Sequence, residues 1–394
     1  MTSQEITRQN QNLKDLIFTL KEKEHWERSR RLTEQSILAF SDQSWMKEIT
    51  QVILVGHGTS LASTMTAEIW FGHLAGVQAH AMAAYHFLRN IDDYLPDPMH
   101  TLVIGLSTGG NTESVIRSVI AAKERGAVSI GAAGEKDSEL ARAGSFRLIS
   151  AVDEDNSQIP GKEFGGGYSV SHSYAMLALL LLALKLGHEK GALDDEALAD
   201  WQSKLDQTLD AIATSMDSLF ARMAQITHDL DERKARSFVV IGSGANLGTV
   251  REGALKICEF TWDFGAPEDL EDLHHGRFRE LGPEHIIFIL CPDERDYPKT
   301  MDILTGAQYS HSPTVVLTGC PTEAMKRLAD HVVPMPPVEE NLSPFLYILP
   351  LWFYGFERAA MDGMLVGDRR YGLWARDINF RKHYNEDGTP IEQN

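Results

Sequence analysis

Three side chains able to move or steer protons lie on one stretch, Arg251-Glu252-Gly253-Ala254-Leu255-Lys256-Ile257-Cys258-Glu259. Glu252, Lys256 and Glu259 fall at i, i+4 and i+7, so a helix brings them near one face. Glutamate and histidine are natural general acids and bases. A glutamate partly withdrawn from water can be tuned toward neutral pH. A plain surface helix with i,i+4 ion pairs would show the same spacing. A histidine pair, His274-His275, follows, with His275 sixteen residues beyond Glu259 and Gly276 next to it. The acids nearby, Glu268, Asp269, Glu271 and Asp272, lack a recurrent ligand spacing, so no metal site is expected.

A second group of residues could hold an anion. Gly56-His57-Gly58-Thr59-Ser60 follows the apolar run at 52–55, and Ser107-Thr108-Gly109-Gly110-Asn111-Thr112 follows the run at 102–106. Glycines let the backbone turn sharply, hydroxyls donate to phosphate oxygens, and a following helix N-terminus adds free N–H groups. The same residue types serve as ordinary loop and N-cap residues. Two such turns on successive units favour a ligand. Neither is a dinucleotide fingerprint: GHGTSL lacks the third glycine of GxGxxG, no GK[ST] follows, and the GxG at Gly242-Ser243-Gly244 is weak alone. No cofactor is expected.

The elements that must position these groups are legible as strand–turn–helix units. VILVGHGTS at 52–60 leads to a helix from Leu61 to Leu74, and LVIGLSTGGNT at 102–112 leads to one from about Glu113 to Arg125. Further strands are expected at 128–133 and 146–152. A long helical stretch over roughly 195–230 follows, and the pattern restarts with FVVIGSGAN at 238–246, an internal repeat of the first unit. More strands are expected at 285–292, 314–319 and 331–336. Alternating strands and helices predict an α/β fold of doubly wound parallel sheets, and open sheets of this kind bind ligands beyond the carboxyl ends of their strands. The reading divides the chain into a helical lead-in at 1–45, two α/β halves at 46–200 and 201–365, and a tail at 366–394.

Composition sets the class. Of 394 residues, 43% are apolar and 24% charged, as in soluble globular proteins. The formal net charge of −19 argues against a nucleic-acid partner, though a local pocket field need not follow it. Cys258, Cys291 and Cys320 include no CxxC pair and suit reduced thiols. The polar N-terminus shows no secretory leader. The apolar run Tyr174 to Leu186 is too short to span a bilayer and reads as a core helix. A soluble, cytoplasmic protein with no membrane partner is therefore expected.

GHGTS after a strand, LSTGGNTESV, and a second half opening IGSGANLGTVREGALKICEF…HHG together resemble the SIS (sugar isomerase) family across about residues 45–370. Similar members include the isomerase part of glucosamine-6-phosphate synthase, tagatose/galactosamine-6-phosphate isomerases or deaminases, and fructosyl-amino-acid-6-phosphate deglycases. The resemblance implies two flavodoxin-like SIS halves and a homodimer with a shared active site. It also implies a phosphorylated or otherwise anionic sugar as ligand. By position it implicates Gly58, Thr59, Ser60, Ser107, Thr108, Gly109, Asn111 and Thr112 in binding that sugar. The family motif EGALKxxE makes Glu259 the base that shuttles a proton between C2 and C1. Lys256 would hold its geometry or help neutralise an enediolate. The family's ring-opening histidine falls at His275, donated across the dimer. Ser169 and Ser171, in GGGYSVSHSY, are candidate sugar contacts. His57 is expected in a supporting role, and His172 opens the core helix.

Four departures stand out. Gly109 occupies a position where serine is common, and Arg277 replaces a common proline. The tail Gly367-Asp368-Arg369-Arg370-Tyr371-Gly372-Leu373-Trp374-Ala375-Arg376 lacks the lysine of amidotransferase-type members, and Arg376 cannot replace a titratable amine. Thr2 rather than a cysteine follows Met1, so glutamine-dependent synthesis is not expected. The readings left open are an aldose–ketose isomerase, with or without amine release, a deglycase, and a non-catalytic sugar-phosphate sensor.

Overall fold

The computed structural model describes residues 2–151, 168–367 and 389. Helices α1 (Ser3–Phe18), α2 (Lys23–Leu38) and the short α3 (Trp45–Glu48) lead into the first half. That half runs β1 (Gln51–Gly56), α4 (Thr59–Ala75), β2 (Gln78–Ala83), α5 (Ala84–Arg89), α6 (Ile91–Tyr94), β3 (Thr101–Leu106), α7 (Glu113–Glu124), β4 (Val128–Ala133), α8 (Glu139–Ala143), β5 (Phe146–Ile149) and α9 (Tyr168–Glu189). The long α10 (Asp195–Glu232) crosses to the second half. There follow β6 (Ser237–Gly242), α11 (Asn246–Thr261), β7 (Gly265–Asp269), β8 (His285–Cys291), α12 (Tyr297–Ser310), β9 (Thr314–Thr318), α13 (Glu323–Leu328), β10 (His331–Pro334) and α14 (Pro344–Met361).

Each half holds a five-stranded, wholly parallel sheet. The orders are β2-β1-β3-β4-β5 and β10-β9-β8-β6-β7, the same flavodoxin-like arrangement read from opposite edges. Both faces of each sheet are covered, so alternate strand residues enter different cores. Val52 and Leu54 join a core that runs through both halves, while Ile53 and Val55 face α5 and α7. Likewise Val240 belongs to the shared core, and Val239 and Ile241 pack with Ile303 and Leu304 of α12. The reading of two doubly wound halves related by a repeat holds.

The sequence reading found four strands in each half and missed β2 and β7. These are equivalent edge strands beside β1 and β6. QAHAMA is half-exposed and carries small alanines in place of branched residues, and GAPED contains a proline and two acids. An edge position tolerates both. The Ala81 N–H of β2 donates to Glu68 Oε2 at 2.9 Å in place of another strand.

Between the sheets lies a helical layer in which α4 packs on α9 and α11, and α11 on α14. The equivalent helices α4 and α11 cross in contact at Gly248. A Cβ there would stand 2.4 Å from the Ala62 carbonyl oxygen and 2.2 Å from Thr66 Oγ1. Thr66 Oγ1 donates to the Ala245 carbonyl at 3.0 Å, so the first helices of the two repeats are tied directly. Helix α9 is longer than the apolar run suggests. Over Ser169–Glu189 it is long and apolar enough to cross a membrane, yet 89% of its apolar 18-residue stretch is buried inside the fold. It is the core helix its composition predicts. All three cysteines are free thiols. The tail with Arg376 lies outside the described residues.

Candidate functional site

The two Ser/Thr turns meet the Glu–Lys–Glu face of α11 in one open cleft of ≈ 370 Å³. It is lined by His57, Thr59, Ser60, Ser107, Thr108, Gly109, Asn111, Thr112, Glu135, Lys256 and Glu259. It lies beyond the carboxyl ends of β1, β3 and β4, where a doubly wound sheet leaves a crevice.

One wall is made by the two Ser/Thr turns. Gly58 is the N-cap of α4 at φ +53°, a backbone state that a side chain would strain, and it offers no capping oxygen. Thr112 is the N-cap of α7, but its Oγ1 lies 2.9 Å from Ser107 Oγ instead of capping the helix. Both helices therefore begin at the cleft without a side-chain cap, though the Ser60 and Leu61 N–H groups of α4 donate to His57 O and the Val115 N–H of α7 donates to Thr112 O. The second turn is braced from behind: the Gly110 N–H donates to Ser107 O, and the Gly134 N–H to Thr108 O. Gly109 lines the cleft without a hydroxyl. A Cβ there would meet Asn111 Oδ1 at 3.5 Å, an ordinary contact.

The opposite wall is α11. Lys256 is almost wholly buried, and its Nζ donates to Glu259 Oε2 at 2.6 Å. Glu259 reaches the cleft with a side chain 43% exposed. Behind them Glu252 is fully buried. Thr59 Oγ1 donates to its Oε1 at 3.3 Å, and Lys256 Nζ stands 3.8 Å away. Burial pushes the Glu252 carboxyl up to about 7. Lys256 opposes that shift, Glu259 adds to it, and the hydrogen bonds from Thr59 and Lys256 oppose it. Deeper still, Ser63 Oγ lies 2.8 Å from His172 Nδ1. Burial, helped by the Lys256 charge, drives the His172 imidazole down to about 3 against its hydrogen bond to the Thr59 backbone, so it stays neutral. The helix spacing brought Glu252 to this face, but only its burial under α4 gives it an unusual charge state.

Ten of the residues singled out in the sequence therefore gather here: Gly58, Thr59, Ser60, Ser107, Thr108, Gly109, Asn111, Thr112, Lys256 and Glu259. Ser169 and Ser171 do not line the cleft. They are buried in the first turn of α9, where the Ser169 hydroxyl has no hydrogen-bond partner among the described residues. His275 also lies outside the cleft of its own chain. It follows β7 with a side chain 66% exposed, and its Nε2 stands 3.4 Å from Glu271 Oε1. Arg277 beside it pairs with Glu268 and Glu280. Glu135, from the turn after β4, lines the cleft without having been anticipated, because no motif marks it. His57, expected in support, lines the cleft directly. Among the described residues no group of three His, Cys, Asp or Glu side chains is placed to hold a metal ion.

Fold and cleft together define a double-repeat α/β protein whose halves share one cleft, with a Ser/Thr wall facing a carboxylate–lysine wall. The chain belongs to the SIS domain family, which it matches over residues 46–185 and 233–354. It is 26% identical over 325 residues to the isomerizing glutamine–fructose-6-phosphate aminotransferase of Gloeobacter violaceus, covering 82% of this chain and 51% of that one. It thus spans about half the length of the curated relatives it matches. Among solved structures it resembles the C-terminal domain of glucosamine-fructose-6-phosphate aminotransferase from Francisella tularensis. That likeness has a TM-score of 0.72 at 18% identity and covers 88% of this chain and 98% of that one. It also resembles tagatose-6-phosphate ketose/aldose isomerase from Escherichia coli, with a TM-score of 0.65 at 15% identity, covering 88% and 94%.

Proposed function

We propose that this protein is a phosphosugar isomerase that interconverts aldose and ketose phosphates through an enediol. The observation that carries the reading is the pairing of Glu259 with the buried Lys256, at 2.6 Å, across one cleft from two uncapped Ser/Thr turns. The turns and the N-termini of α4 and α7 hold the phosphate, and the cleft volume suits a hexose phosphate. Relatives named for fructose 6-phosphate and tagatose 6-phosphate support that class of ligand.

Glu259 removes the C2 proton and returns it at C1, a geometry open to a half-exposed carboxylate at the cleft wall. The Lys256 ammonium offsets the negative charge that develops on the enediolate. Glu252, held toward its neutral form by burial, leaves that charge uncancelled from behind. Ring opening falls to His275 of a second copy in a homodimer. Support for this is its exposure and its position outside its own cleft.

The test is deuterium exchange in heavy water followed by NMR. Hexose 6-phosphates, hexosamine 6-phosphates and fructosyl-amino-acid 6-phosphates are compared for wild type and Glu259→Gln. Incorporation at C1 or C2 that disappears in the variant supports the reading. The product formed separates isomerisation from release of an amine. Binding without exchange across the panel would sink the enzymatic assignment in favour of a sensor.

A further inference from the structure

The inference rests on the anion-binding reading of the cleft and concerns a side chain that the Ser/Thr turns do not explain. His57 belongs to the turn after β1, and its Nε2 lies 2.9 Å from Ser114 Oγ in the first turn of α7. It therefore joins the first turn to the helix whose N-terminus opens on the cleft. The ring lines that cleft beside Ser107, Thr108 and Thr112. Its Nδ1 has no hydrogen-bond partner among the described residues.

A neutral imidazole has one N–H donor and an imidazolium has two. The Ser114 hydroxyl can donate or accept, so its contact with Nε2 survives in either state. In the charged ring, Nε2–H donates to Ser114 and Nδ1–H remains for a ligand. We propose that His57 binds the ligand's anionic group as an imidazolium, bridging it to Ser114, so that anion binding takes up one proton.

The surrounding charges set the balance. Burial and then Arg251 of α11 hold the imidazole below its ordinary value, so the ring is neutral at pH 7. From the same helix Lys256 also opposes protonation, while Glu259 favours it and Glu252 contributes little in its neutral form. Glu135, from the turn after β4, and Glu113, which opens α7, add negative charge. A doubly charged anion at the N-terminus of α7, beside the ring, favours the charged form and draws the proton onto His57. The cleft then discriminates in favour of dianions, and does so more strongly as pH falls.

Inorganic sulfate is the probe, because it stays doubly charged through the neutral range and any pH dependence then belongs to the protein. Sulfate affinity is measured calorimetrically from about pH 6 to about pH 8. The His57 ring signals are followed by NMR in wild-type protein with and without sulfate. Sulfate is expected to raise the His57 pKa by about one unit and to bind about tenfold tighter at the acid end. His57→Asn, which keeps an N–H donor near the Nδ1 position, should bind with no such slope. A sulfate affinity independent of pH, a slope retained in His57→Asn, or a His57 titration unmoved by sulfate would overturn the proposal. If wild type binds no sulfate, the anion-binding reading itself falls, and this inference with it. If the His57-linked slope is present but no sugar phosphate exchanges deuterium, the inference stands and the isomerase assignment fails.

Discussion

Glu252→Gln isolates the electrostatics beneath the cleft, because the amide keeps the shape of the carboxyl and cannot ionise. Two effects compete at this position. Burial in a site with no exposed surface disfavours the carboxylate, and Lys256 Nζ at 3.8 Å favours it. Lys256 is committed more closely to Glu259, at 2.6 Å, so burial wins and the folded carboxyl sits at about 7 against 4.5 when unfolded. A raised folded pKa means that the native state binds the extra proton. The stability this contributes is fully present below about 4.5 and is lost as pH rises through about 7. The shift corresponds to about 3 kcal/mol, most of which falls between about pH 5 and about pH 8. Equilibrium urea unfolding of both proteins at those two pH values gives the variant-minus-wild-type difference, in which the titration of all other groups cancels. That difference should become more favourable to Glu252→Gln by about 2–3 kcal/mol at the higher pH. A flat difference, or one that turns against the variant, would show that the ion pair with Lys256 prevails and that the carboxyl is charged in the fold.

Four further outcomes are expected. Glu259→Gln should lower deuterium exchange at C1 and C2 by about 10²- to 10⁴-fold while leaving sugar-phosphate binding within a few-fold, as measured by NMR and calorimetry. Gly109→Ser adds a hydroxyl where a Cβ meets only an ordinary contact with Asn111. It should tighten sulfate or sugar-phosphate binding by about three- to tenfold, the worth of one hydrogen bond. If His275 serves the partner's cleft, Glu259→Gln and His275→Asn proteins, inactive separately, should recover about a quarter of wild-type activity when unfolded and refolded together in equal amounts. No recovery would place the ring-opening group elsewhere. Gly248→Ala forces a methyl into the α4 backbone at 2.4 Å and should destabilise the protein by about 1–3 kcal/mol in urea unfolding.

Much of the fold was legible in the chain because it depends on short-range pattern. Strands buried on both faces read as continuous apolar runs, and Gly/Ser/Thr turns punctuate them. The recurrence of VILVGHGTS as FVVIGSGAN exposed the repeat. The edge strands β2 and β7 escaped because an edge position demands neither branched side chains nor a complete ladder. The helical period placed Glu252, Lys256 and Glu259 on one face, and the turns placed Thr59, Ser107 and Thr112 at strand ends.

What the amino-acid sequence determined by itself was therefore the doubly wound architecture and the chemical vocabulary of the cleft. Only the tertiary structure decided which of those groups meet and in what charge state. Thr59 and Glu252 share a hydrogen bond across 193 residues of chain, and that contact exists because α4 and α11 cross at Gly248. The crossing withdraws Glu252 and Lys256 from water and leaves Glu259 half-exposed, while Ser169 on α9 and His275 after β7 lie outside the cleft. Burial and distance between remote segments are properties of packing, and no local spacing encodes them.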